Sequence, residues 1–171
     1  YLLDIVEKTQ FDTIYHEHIR TYTLKSLKIL CENYGLEIFD VDRANRYGGN
    51  IRIYVGRKGK HPVNKKVDQL LQVEIERGLF EPETYTKFRS RVSRIRNELM
   101  EFAYKAQRTG SSFVGNSCPG RCVPLLNYYG MSKDLMPYLA EQSTSLKLGK
   151  YLPGLHIPVV DNKILIDEQP D

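Results

Sequence analysis

The run Ser112-Phe113-Val114-Gly115-Asn116-Ser117-Cys118-Pro119-Gly120-Arg121-Cys122 decides the fold class. Ser112 to Val114 predicts a short buried strand and Gly115 to Gly120 a tight loop. Arg121 to Tyr129, with Leu125, Leu126 and Tyr129 apolar, predicts a helix that Gly130 stops. Strand, glycine loop and helix in succession make an α/β unit. Such a unit presents backbone N–H groups and a positive dipole end, which suits a phosphate. The run is not a P-loop, because the lysine and the metal-binding hydroxyl are both missing. Cys118 and Cys122, with no histidine beside them, make no metal site.

Beyond it, Lys147 to Val159 is a loop rich in Gly and Pro, and Ile164-Leu165-Ile166 begins another element. Before it come two helices. The first carries Val63, Val67, Leu70, Leu71 and Ile75 and ends near Gly78. The second is opened by Pro82-Glu83 and has the stripe Tyr85, Phe88, Val92, Ile95, Leu99, Phe102 and Ala106. Its repeat predicts two antiparallel helices packed along their length. Lys87, Arg89, Arg91, Arg94 and Arg96 read as a solvated face with Glu partners. Arg57 to Pro62 is a polar linker, with His61 solvated.

Further upstream, Leu36 to Val41 and Ile51 to Val55 both alternate apolar and polar residues. They predict an antiparallel hairpin with a long loop, Asp42 to Asn50, ending in Tyr47-Gly48-Gly49-Asn50. The two glycines mark a turn that needs positive φ, with close approach to a ligand as the alternative. Thr23 to Tyr34 predicts a helix with Thr23 as N-cap, Gly35 as stop and Cys31 on the apolar stripe. Residues 1–8 predict a short helix.

Between those two helices lies Gln10-Phe11-Asp12-Thr13-Ile14-Tyr15-His16-Glu17-His18. Its last four residues hold two of the chain's four histidines, a carboxylate and a phenol. An imidazole takes up and returns a proton near neutral pH. A phenol donates to an oxygen that gains negative charge. Two readings stand: equipment for removing a proton beside a carbonyl, or a satisfied polar loop. An extended chain would turn Tyr15 and Glu17 away from His16 and His18, so convergence on one ligand requires a bend.

Composition excludes several classes. The 171 residues suffice for one substantial domain or two small ones, and no apolar run reaches membrane-spanning length. A net charge of +4, with basic and acidic residues interspersed, gives no reason to infer nucleic acid. Three cysteines argue against a disulfide framework and for reduced thiols in the cytoplasm. The helical pattern is under way from Tyr1 with no signal segment before it, as in an interior piece of a longer protein.

Four runs, in order, resemble the sugar-nucleotide C-methyltransferases. They are Gln10 to His18, Tyr47 to Tyr54, Leu125 to Gly130, and Gly149 to Pro158. Members of that family use S-adenosylmethionine to methylate a carbon of a keto-deoxysugar carried on a nucleoside diphosphate. The resemblance implies an α/β fold in three parts. Residues 1–57 are the end of a Rossmann-like methyltransferase domain, 58–109 a helical connector, and 110–171 most of a Rossmann-like C-terminal domain. The glycine-rich donor loop and the zinc-binding segment of the family lie outside this sequence. S-adenosylmethionine is thus bound mainly elsewhere, no metal is expected here, and the piece is expected to be inactive alone.

By motif position, His18 is implied as general base, Tyr15 as stabiliser of the enolate oxygen, and Glu17 as the group orienting the sugar or another histidine. Gly115, Arg121, Asn127, Lys150 and His156 are implied as substrate-binding positions. Two departures stand out. Tyr47-Gly48-Gly49-Asn50 replaces a usual His-Gly-Gly-Ser, and Ser117, Arg121 and Cys122 replace a glycine, a lysine and a glycine. The alternative is a non-catalytic module that binds a nucleotide sugar. No membrane or nucleic-acid partner is expected.

Overall fold

Leu3, Val6 and Leu79 pack together with Tyr1, Leu2 and Phe88 around them. That cluster buries the apolar face of the first helix, α1 (Leu2–Lys8), which ends where Thr9 turns left-handed (φ 55°). A single 3-10 turn, Phe11–Thr13, follows. Helix α2 (Leu24–Glu32) starts at Thr23 with a reciprocal cap. The Thr23 hydroxyl accepts from the Ser26 N–H at 2.9 Å and the Ser26 hydroxyl accepts from the Thr23 N–H at 3.0 Å. Gly35 (φ 67°) then turns the chain into strand β1 (Leu36–Ala44), which pairs antiparallel with β2 (Asn50–Arg57).

Helix α3 (Lys65–Glu76), capped by the Asn64 side chain, packs on β1 and on α2. Leu24, Ile38, Val41 and Val67 form the core of this layer, joined by Leu27, Cys31, Ile51, Ile53, Leu70 and Leu71. Truncating one such side chain costs ~2–5 kcal/mol, so Leu24, at 0% exposure, anchors the layer. Glu74 of α3 is also fully buried. Its carboxylate accepts from the backbone N–H of Leu24 at 2.6 Å, from that of Lys25 at 3.1 Å, and from the Tyr1 hydroxyl at 2.8 Å. An anion at the positive end of α2 with three donors offsets its desolvation.

The computed structural model describes residues 1–171, and its contacts divide them into Tyr1–Val92 and Ser93–Asp171. Helix α4 (Pro82–Thr109) spans that division. In the second unit, β3 (Gly115–Asn116), β4 (Leu139–Glu141) and β5 (Val159–Asp161) form a parallel sheet in that order. Helix α5 (Cys122–Tyr129) lies in the β3–β4 connection and α6 (Ile164–Glu168) follows β5. Leu126, Tyr129, Met131, Leu139, Ala140, Leu152 and Ile157 are among its buried residues. The fold is mixed α/β with two small sheets. No helix is long and apolar enough to cross a membrane.

Several expectations shift. The strand expected at Ser112 to Val114 lies at Gly115–Asn116, inside the expected loop. Gly115 fits there because an added Cβ would stand 2.2 Å from the Leu139 side chain. Strand β4 carried no sequence signal, since three residues are too few to show alternation. The hairpin strands extend to Ala44 and Asn50, so the loop is only residues 45–49. A bulge near Phe39 frees its carbonyl to accept from the Asn64 N–H at 2.8 Å. The two helices do not pack lengthwise as antiparallel partners. α3 uses its apolar face on β1 and α2, and α4 buries Val92, Ala103 and Ala106 while Phe102 stays 57% exposed. His61 is exposed, yet its ring stacks on Phe39 at 4.4 Å.

Candidate active site

The tetrad Tyr15-His16-Glu17-His18 does bend. The Ile14 N–H bonds the Phe11 carbonyl at 3.0 Å and the His18 N–H bonds the Tyr15 carbonyl at 2.8 Å. A turn therefore replaces the extended form and gathers side chains that a strand would separate. The Tyr15 hydroxyl donates to Glu17 Oε2 at 2.8 Å. The His18 ring tilts against Tyr15 with centroids 4.6 Å apart, and the His16 ring meets Tyr15 edge-on at 5.5 Å. Tyr15 is half-buried, while His16, Glu17 and His18 are exposed.

His18 Nδ1 lies 2.8 Å from the Thr13 carbonyl oxygen. A carbonyl only accepts, so Nδ1 carries the hydrogen. In the neutral ring the lone pair then sits on Nε2. One phenol, one carboxylate and one imidazole with its base atom defined thus share one turn. Chemically the group can take a proton at Nε2 and present a phenolic donor beside it. Thr13 went unforeseen because its contribution is a main-chain oxygen, which leaves no mark on residue type.

The hairpin turn seats against the start of this segment. Tyr47 (φ 53°), Gly48 (φ 86°) and Gly49 (φ 132°) form it. The Gly48 carbonyl accepts from the Gln10 amide at 3.4 Å and from the Lys8 ammonium. An added Cβ on Gly48 would stand 1.9 Å from Gln10 Nε2, and one on Gly49 would stand 2.3 Å from the Asp4 carboxyl carbon. Both glycines therefore serve positive φ and close approach, and what they approach is the chain's own Gln10 and Asp4. Asp4 is fully buried. Its Oδ1 takes Arg43 at 2.7 Å and Lys8 at 3.1 Å, while Oδ2 has no hydrogen-bond partner.

The positions implied for substrate binding lie in the second unit. Arg121 immediately precedes α5 and is exposed, as are Lys150 and His156. Asn127 works on its own backbone. Its amide donates to Val123 O at 2.8 Å and Pro153 O at 3.0 Å, tying α5 to the 153–154 turn. Gly154 (φ 86°) leaves room for that amide, because an added Cβ would meet Asn127 Oδ1 at 2.3 Å. His156 holds a left-handed backbone (φ 54°).

The loop before α5 already has an anion. Glu141 accepts from the Cys118 N–H at 3.1 Å and pairs with Lys147 at 3.5 Å. The Gln142 N–H, bonding Glu141, leads the causes that hold this carboxyl below its usual range. Cys118 and Cys122 are buried with sulfurs 3.6 Å apart, and burial pushes the Cys122 thiol up to about 12. No group of three or more His, Cys, Asp or Glu is placed to hold a metal ion.

The family described as C-methyltransferase C-terminal domain matches residues 45–171, which includes the hairpin turn but not the tetrad. The C-methyltransferase NovU of Streptomyces niveus is 32% identical over 172 aligned residues, which cover the whole chain. The chain spans 41% of the length of that relative.

Proposed function

We propose, because the chain belongs to the C-methyltransferase family, that it carries the proton-removing part of a sugar C-methylation. His18 Nε2 takes the hydrogen from the carbon beside the ketone of an NDP-keto-deoxysugar, and the electron pair moves into the enolate. The Nδ1 bond to the Thr13 carbonyl carries this reading, since it defines Nε2 as the base atom. A positioned base contributes ~10²–10⁴ in rate. Tyr15 supports the enolate oxygen once its hydroxyl turns from Glu17, and Glu17 holds that phenol aimed until then.

S-adenosylmethionine supplies an electrophilic methyl group when bound. The residues of this chain do not fit it as a cradle. The first loop of the parallel sheet has its Cys118 N–H on Glu141 and two thiols packed beneath. We therefore assign donor binding, and any zinc, to the part of the parent outside this chain, and the piece alone to inactivity. On the same reading residues 1–57 end a Rossmann-like methyltransferase domain, with β1 and β2 as its last strands. Residues 58–109 connect it to a Rossmann-like C-terminal domain, 110–171, which the parallel β3–β4–β5 order supports. Arg121, Lys150 and His156, all exposed, are its contacts to the nucleotide sugar. The setting is the cytoplasm, in keeping with three unpaired cysteines.

The test is His18→Asn in the intact parent. Wash-in of solvent deuterium at the substrate carbon, read by mass spectrometry, drops ~10²–10⁴ with the circular dichroism spectrum unchanged. Wash-in at the parental rate would sink the reading. A second reading, a non-catalytic nucleotide-sugar module, is favoured by the strand–loop–helix unit at 115–129 and opposed by Glu141 occupying its loop. It requires that Arg121→Ala weaken nucleoside-diphosphate binding while the parent transfers no methyl group.

A further inference from the structure

Thr13 does more than lend a carbonyl. Its hydroxyl donates to the Gln10 carbonyl at 2.8 Å, and its N–H donates to the same oxygen at 3.2 Å. Gln10 is fixed in turn at both ends. Its N–H bonds the Ile5 carbonyl of α1 at 3.0 Å, and its side-chain amide reaches the Gly48 carbonyl at 3.4 Å. Gly48 has no side chain where Gln10 Nε2 lies, so the turn closes directly over Gln10. The sequence of contacts is continuous: Gly48, Gln10, Thr13, His18. Each step is a hydrogen bond or a steric seat, and the last one selects the hydrogen-bearing nitrogen of the ring.

An exposed imidazole needs such fixing. With solvent on its open side, His18 can exchange between its two neutral forms and between rotamers unless one nitrogen is held. We propose that Thr13 and Gln10, seated on the Gly48 turn, are positioning residues that hold His18 with its hydrogen on Nδ1 and its lone pair on Nε2. The proposal deepens the reading of His18 as the base, and rests on it for its catalytic meaning. It also explains why two distant runs, Gln10 to His18 and Tyr47 to Tyr54, belong to one device. The hairpin turn acts on the base through Gln10 and requires no contact with a ligand.

The experiment is 15N spectroscopy of the chain labelled at histidine, at alkaline pH where imidazoles are neutral. His18 is assigned by its loss in His18→Asn. The parental chain is expected to show Nδ1 protonated and Nε2 bare. Thr13→Val removes the hydroxyl bond that holds the Thr13 carbonyl in place and so shifts the ratio of the two forms toward Nε2–H, by up to about 10-fold if the whole worth of that bond is passed on. Thr13→Ser restores it. Gln10→Ala, which removes only the contact to Gly48, shifts the ratio the same way and serves if Thr13→Val fails to fold. A parental His18 with its hydrogen on Nε2 would overturn the proposal. So would a ratio unmoved by both variants. Failure of the base assignment looks different: the spectra behave as stated, yet His18→Asn leaves deuterium wash-in intact.

Discussion

Gly49→Ala should destabilise the first unit by several kcal/mol, and the structure separates the contributions. Gly49 has φ 132°, a region open in practice only to glycine, so any side chain there costs ~1–3 kcal/mol. The new methyl would also stand 2.3, 2.4 and 2.7 Å from the Cγ, Oδ1 and Oδ2 atoms of Asp4. Those atoms are buried and bonded to Arg43, so they have no easy retreat. Breaking a buried ion pair costs ~3–5 kcal/mol. Arg43 is 48% exposed, which screens the pair, and about 2–3 kcal/mol is the fitting share here. The total is about 3–6 kcal/mol, a large part of an ordinary domain's ~5–15 kcal/mol. Gly59→Ala is the internal control. Gly59 has φ 74° with nothing within 4 Å of an added Cβ, so only the backbone cost of ~1–2 kcal/mol applies. Urea denaturation followed by circular dichroism measures both. If Gly49→Ala costs no more than Gly59→Ala, the close seat on Asp4 is not a real constraint.

Glu74→Ala removes the acceptor for two backbone N–H groups and the Tyr1 hydroxyl, and should cost about 3–5 kcal/mol in the same assay, with Glu74→Gln retaining part of it. Asn127→Ala loses two backbone ties and should cost about 1–2 kcal/mol, with faster amide exchange around residues 153–154. Alkaline pH should weaken the fold as it rises from 9 toward 12. The unfolded Cys122 thiol ionises from its usual 9.0 while the folded one holds its proton to about 12, and Cys122→Ala flattens that slope in melting temperature. Acid works through Glu141, whose carboxyl is held below its usual 4.5. The stability it contributes is full above 4.5 and is lost as pH falls through its lowered folded value, so Glu141→Gln flattens the acid limb.

Much of the fold was legible where side chains report their own surroundings. Thr23 and Gly35 marked the ends of α2, alternation marked β1 and β2, and Gly130 closed α5. Strand β4 was not legible, because three residues of a buried parallel strand show no period. The partner of α3 was misread because an apolar helical face does not name what it packs on, and here β1 and α2 compete successfully with α4. At the site, residue types singled out Tyr15, Glu17 and His18, but neither the turn that gathers them nor the Thr13 carbonyl follows from composition. The resemblance implied Asn127 as a substrate-binding position, and its amide bonds the carbonyls of Val123 and Pro153, a tie that residue type does not announce.

Glu74 carries a lesson about synthesis. The acceptor that completes the start of α2 lies 50 residues further along the chain. At ~5–20 residues per second a ribosome takes roughly 3–10 s to add them. During that pause the nascent helix has only the Thr23–Ser26 pair to steady its first turn. The first turn of α2 therefore gains its buried acceptor only after α3 has been made, so this layer closes late in the synthesis of its unit.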